Sequence, residues 1–190
     1  VGSEMCIRDR EKHGVSFGRN INAYTAQNET VYNLSDVPTN SESLLDTCLL
    51  ILHDWSYYLT LEDDEIDAER GVITEEWRTR RTPQFRIQKQ MFPVLFKDSK
   101  YAIRDVIGNL DVIKNFKYQT IRDFYHEWYR TDLEAIAIVG DFDVAKMEQK
   151  VKELFSKIPA VENPTPRPFY EIPEHDEMYY CLATDKEVQQ

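Results

Sequence analysis

The sequence predicts an α+β fold, a mostly antiparallel sheet packed against helices. Three observations predict it. An extended stretch and a second one rich in Val, Tyr and Thr flank a short polar turn near the start, which reads as a hairpin. Several later segments repeat apolar residues at helical spacing. Ala135 to Val139 is a short, continuous apolar run of the kind that forms a central strand. The chain has 190 residues, is 42% hydrophobic and 30% charged, and can therefore build a proper core.

The first ten residues, V-G-S-E-M-C-I-R-D-R, fit no element that follows and lack the apolar centre of a signal peptide. They read as foreign or misread sequence joined to a true start near Glu11. Val15 to Thr25 is extended, Ala26-Gln27-Asn28 is the turn, and Glu29 to Val37 returns as the second strand. Thr39 with Glu42 has the form of a capping box. The helix after it would carry Leu45, Cys48, Leu52, Trp55 and Leu59 on one face. Thr60, ahead of Asp63, Asp64 and Glu65, would cap the next helix, Asp64 to Arg80.

That helix is the centre of the reading. At about 100° per residue, Glu69 and Glu76 point almost the same way, flanked by Ile66, Val72 and Ile73. Asp67, Arg70, Thr74, Glu75 and Arg78 would form the solvated face. A carboxylate in an apolar stripe needs a metal, a substrate or a basic partner, or it takes up a proton. Arg80, one turn beyond Glu76, offers an ordinary ion pair. Gly71 costs about 1 kcal/mol relative to Ala, so close approach by another backbone is expected there.

Pro83 limits or kinks this helix, and Gln84 to Phe96 is a further helical piece. Ser99 to Asn115 is turn-rich, with room for a short helix. Tyr118 to Tyr129 spaces Ile121, Phe124, Tyr125 and Trp128 helically. Asp143 caps a last helix that buries Met147, Val151, Leu154 and Phe155. Four prolines between Pro159 and Pro168 mark a linker, and Met178 to Ala183 reads as the first strand of a second domain. The expected domains are thus residues 11–160, incomplete at the start, and 161–190, a linker and the first strand of a second, similar domain.

The net charge of -11 argues against a nucleic-acid track and suits a basic peptide better. No apolar run is long enough to span a bilayer. Cys6, Cys48 and Cys181 have no C-x-x-C spacing. The four histidines, His13, His53, His126 and His175, are not spaced as metal ligands, and His126-Glu127 does not complete H-E-x-x-H because position 130 is Arg130.

Four strings, taken in order, carry a family resemblance. E-R-G-V-I-T-E-E-W-R (Glu69 to Arg78) resembles a segment of the M16 zinc peptidases, the pitrilysin and insulinase group with the inverted H-x-x-E-H motif. N-I-N-A-Y-T (Asn20 to Thr25) with E-T-V-Y (Glu29 to Tyr32) is similar to that family's hairpin. F-Y-H-E-W-Y-R-T-D-L (Phe124 to Leu133) is similar to its F-Y-x-x-x-Y-x-P signature, with Thr131 where proline is usual. I-A-I-V-G-D-F-D (Ile136 to Asp143) is similar to the strand closing its first domain.

The resemblance implies an M16 peptidase-like (LuxS/MPP-like) fold and a zinc endopeptidase acting on peptides or unfolded segments. It implies that Glu76 is the third zinc ligand and Glu69 a supporting acid two turns earlier. H-x-x-E-H, which supplies two ligands and the general base, would fall at or just before residue 1 and is absent from these 190 residues. Zinc would then need ligands this chain lacks, and the chain alone would be inactive. By the same resemblance, Asn22, Ala23, Tyr24 and Thr25 form a strand edge on which substrate lies extended. The implied partners are a peptide substrate and further M16 domains, in the same chain or a homologous subunit, in a bacterial periplasm or cell envelope. The rival readings are a non-catalytic M16-like subunit or binding module, and an unrelated acidic interaction domain.

Overall fold

A computed structural model describes residues 20–188. The expectations for residues 1–10 and for Val15 to Arg19 lie outside them. The described chain is helix-rich with a small antiparallel sheet. It divides into two compact units, residues 20–60 with 122–165, and residues 61–121 with 166–188.

In the first unit, β1 (Ile21–Thr25) pairs antiparallel with β2 (Thr30–Leu34) in the register Ile21 with Leu34 and Thr25 with Thr30. The side-chain period of two puts Ile21, Ala23, Tyr32 and Leu34 on one face. That face meets α1 (Glu42–Tyr57), where Ile21, Leu44 and Cys48 form a buried core flanked by Leu34, Val37 and Trp55. Asn20 is 3% exposed, and its amide donates to the Ser35 carbonyl at 2.9 Å, closing the base of the hairpin.

The cap of α1 is Ser41, whose hydroxyl accepts from Leu44 N–H, rather than Thr39. The buried stripe is correspondingly rotated: Leu44, Cys48, Leu49 and Ile51 are buried, while Leu45 and Leu52 are only half-buried. The last helix, α6 (Val144–Phe155), is capped by Asp143 as expected and buries Met147. Lys150 on α6 reaches both Glu42 and Asp46 on α1.

Ala135 to Val139 forms no strand and pairs with nothing among the described residues, and Val139 is 98% exposed. Met178 to Ala183 likewise has no ladder partner there. A strand exists through its neighbour, so apolar composition alone does not make one.

In the second unit, α2 (Asp63–Thr79) starts after Leu61, which has φ 50°, so Thr60 is not its cap. Glu62 takes the cap position without a side-chain bond, and Asp63, Asp64 and Glu65 supply charge to the first turn. Pro83 opens α3 (Pro83–Leu95) instead of kinking α2, with Thr82 as cap. A 3₁₀ turn (Lys100–Ala102) and α4 (Leu110–Asn115) follow. The helix α5 (Tyr118–Trp128) comes next in the chain.

Of the face of α2 expected to be solvated, Asp67, Glu75 and Arg78 are exposed, but Arg70 is packed. The Arg70 side chain is 14% exposed, donates to the carbonyls of Ile113 and Phe116 at the end of α4, and lies 3.7 Å from the Phe116 ring centroid. Asp67 accepts from Tyr118 at 2.6 Å. At Gly71 an added Cβ would meet nothing within 4 Å, so the expected close approach is absent among the described residues.

Candidate peptide edge and carboxylate helix

The edge strand is set by its hydrogen-bond parity. Ser35 N–H donates to the Asn20 carbonyl and Ala26 N–H to the Glu29 carbonyl. Paired residues alternate between bonded and unbonded along an antiparallel ladder. Asn20, Asn22, Tyr24 and Ala26 therefore address β2, and the backbone groups of Ile21, Ala23 and Thr25 point away from it. No strand covers that side among the described residues. Asn22, Ala23, Tyr24 and Thr25 are all exposed, and Asn22 Oδ1 accepts the outward Ala23 N–H at 2.8 Å.

Beneath the edge lies a network that the sequence did not reveal. Tyr32, opposite Ala23, packs at a tilt against Trp55 with centroids 5.3 Å apart and bonds Tyr129 hydroxyl to hydroxyl at 2.6 Å. Tyr125 is 4% exposed; its hydroxyl donates to the Trp55 carbonyl and accepts Leu59 N–H. Burial pushes the Tyr32 and Tyr125 hydroxyls far above their ordinary range. Burial, with repulsion from Asp132, raises the Glu134 carboxyl to about 7. The one clue in sequence was the tyrosine pair inside F-Y-x-x-x-Y.

On α2, Glu69 and Glu76 do not lie in a buried stripe. Ile66 is the buried residue, Val72 is 58% exposed, and Glu69 is exposed. Glu76 is half-buried and its carboxylate meets Arg80 at 2.6 Å, the ion pair that the i,i+4 spacing allowed. Glu69 lines a cavity of about 260 Å³ whose floor is Ile66, Ile73, Ile113 and Phe116. Arg70 packs against the end of α4, while Glu69 borders this cavity and Glu76 is held by Arg80.

A zinc ion requires several converging ligands. Among the described residues no group of three or more His, Cys, Asp or Glu side chains converges. His53 is buried against Tyr58 and Phe155, with Nδ1 3.1 Å from Asp54. His175 lies near the Lys97 carbonyl, and His126 packs beside Tyr125. His13 lies outside the described residues. The described residues do not by themselves fit a zinc ion.

Comparison with known proteins supplies the wider setting. Residues 3–97 match the family described as Insulinase (Peptidase family M16), and residues 115–190 match Peptidase M16 inactive domain. The probable zinc protease PqqL of Haemophilus influenzae is 37% identical over 158 residues, covering 83% of this chain and 16% of that protein. The crystal structure of the first half of the periplasmic protease PqqL from Escherichia coli superposes with a TM-score of 0.80 at 35% identity, covering 90% of this chain and 36% of that one. A mutant of the ferredoxin protease FusC, solved in complex with Arabidopsis ferredoxin, gives a TM-score of 0.78 at 29% identity, covering 88% of this chain and 18% of that one. This chain thus spans a minor part of the proteins it matches. With two consecutive family matches and a relative, described as a probable zinc protease, that is 37% identical over 83% of this chain, the chain belongs to peptidase family M16.

Proposed function

We propose that this chain is part of a zinc-dependent metalloendopeptidase that hydrolyses peptides or unfolded protein segments, and that the 190 residues alone are inactive. Family membership carries the reading, since the relatives are described as probable zinc proteases. The absence of H-x-x-E-H from the sequence supports the inactivity. In the whole protein Glu76 is the metal ligand borne by this chain, exchanging its Arg80 partner for the ion, and Glu69 supports it from behind. Residues 11–160 belong to an N-terminal-type M16 domain and 161–190 lead into a second one. The remaining M16 domains, in the same chain or a homologous subunit, complete the site. The periplasmic location of the Escherichia coli relative supports the same compartment here.

Substrate lies extended along β1. The outward N–H and C=O groups of Ile21, Ala23 and Thr25 give main-chain pairing that reads no sequence. The exposed side chains of Asn22 and Tyr24 face the opposite side of the sheet from the core. The acidity of the chain favours basic peptides.

One observation favours a second reading, a non-catalytic subunit: Glu76 is satisfied by Arg80 without any metal. The coding sequence upstream of residue 1 separates the two. H-x-x-E-H there supports the enzyme, and an M16 domain without it supports the subunit. In the longer protein, Glu76→Gln should strip zinc and activity together. Glu69→Gln should keep most of the zinc and cost about 10–100-fold in activity. Full zinc occupancy in Glu76→Gln would show the ligand to be another residue.

A further inference from the structure

We infer that Asn22 is a guard on the edge of β1 that no strand covers among the described residues, and that its side-chain oxygen competes with an incoming peptide for the Ala23 N–H. The inference rests on the docking of peptide along β1. Of the three residues whose backbone faces outward, Ala23 is the central one, flanked by Ile21 and Thr25. Any strand added to this edge must use its N–H. That N–H is already taken, at 2.8 Å, by the carboxamide of the preceding residue.

The arrangement answers a problem of the strand itself. Exposed edges pair indiscriminately unless they are blunted by charge, proline, a bulge or a cover. The sequence I-N-A-Y-T holds no charge and no proline, and β1 pairs with β2 without a bulge. The edge cannot shift away either. Ile21 is in the core, and Tyr32 beneath Ala23 is held by Trp55 and Tyr129. The Asn22 carboxamide is exposed and free to swing aside, so it can cap the edge at rest and yield it to a peptide. An aspartate there would keep the acceptor and hold the cap more strongly.

The test uses the 190-residue chain, its Asn22→Ala and Asn22→Asp variants, and a labelled peptide of alternating lysine and valine. Backbone amide exchange at Ala23 is followed by NMR, and peptide affinity by fluorescence anisotropy. Loss of one net hydrogen bond should speed Ala23 exchange about fivefold in Asn22→Ala and tighten peptide binding by a similar factor. Asn22→Asp should leave Ala23 protected and weaken binding relative to Asn22→Ala. Unchanged Ala23 exchange in Asn22→Ala would overturn the guard. Faster exchange with equal or weaker binding would overturn the competition. Faster exchange with no binding by any variant would remove the docking reading, and the competition with it.

Discussion

Arg70 is the residue on which the second unit most visibly depends, and Arg70→Ala is the sharpest test of that packing. Its guanidinium donates to two backbone carbonyls, of Ile113 and Phe116, and lies over the Phe116 ring. Hydrogen bonds from a charged donor contribute about 1.5 kcal/mol each, and a partly desolvated cation–π contact adds roughly 1 kcal/mol. The exposed Asp67 contact adds little. The expected loss is therefore about 3–4 kcal/mol, because truncation also strips both carbonyls of a partner. For a chain of this size that lowers Tm by roughly 6–15 °C. Arg70→Lys keeps the charge but not the fork, and should lose about half as much. Urea unfolding followed by circular dichroism, with NMR shifts at Ile113 and Phe116, reads both variants. A loss below about 1 kcal/mol in Arg70→Ala would refute the claim that this side chain ties α2 to α4.

Two further outcomes follow from the same structure. Gly71→Ala should raise stability by about 1 kcal/mol in urea melts, because the helix gains propensity and the new methyl meets nothing within 4 Å; destabilisation would place a packing neighbour outside the described residues. Glu134 has its carboxyl raised from 4.5 to about 7, so the folded state holds its proton more tightly than the unfolded state. Its favourable contribution is complete below pH 4.5 and is lost as pH rises through about 7. Glu134→Gln should thus be more stable than the parent above pH 7 and little different at pH 4.5, by a modest amount because the residue as a whole is exposed to screening solvent. A stability difference that does not change with pH would count against the burial of that carboxyl.

Helices were legible in the sequence because their signals are local. The expected Asp64 to Arg80 became Asp63–Thr79, and Asp143 caps α6 as its position suggested. Pro83 was correctly read as a boundary, though its part is to start α3 rather than only to end α2. The hairpin was legible for the same reason, its turn lying within a few residues. What failed depended on distant partners. Ala135 to Val139 has the composition of a strand and no neighbour among the described residues. Arg70 looked solvated because nothing nearby in sequence reveals that the end of α4, more than forty residues on, accepts its hydrogen bonds. A helical wheel could likewise pair Glu69 and Glu76 but not show that Glu69 is exposed and Glu76 half-buried against Arg80.

The central claim is that this chain carries a portion of an M16 peptidase and not a working metal centre. The direct measurement is hydrolysis of a quenched fluorescent peptide by the purified 190-residue chain, titrated with zinc, alongside metal analysis after dialysis. The account predicts no cleavage above background and no retained stoichiometric zinc, since H-x-x-E-H is absent from the sequence and no ligand group converges among the described residues. Zinc-dependent cleavage that a chelator abolishes would contradict it.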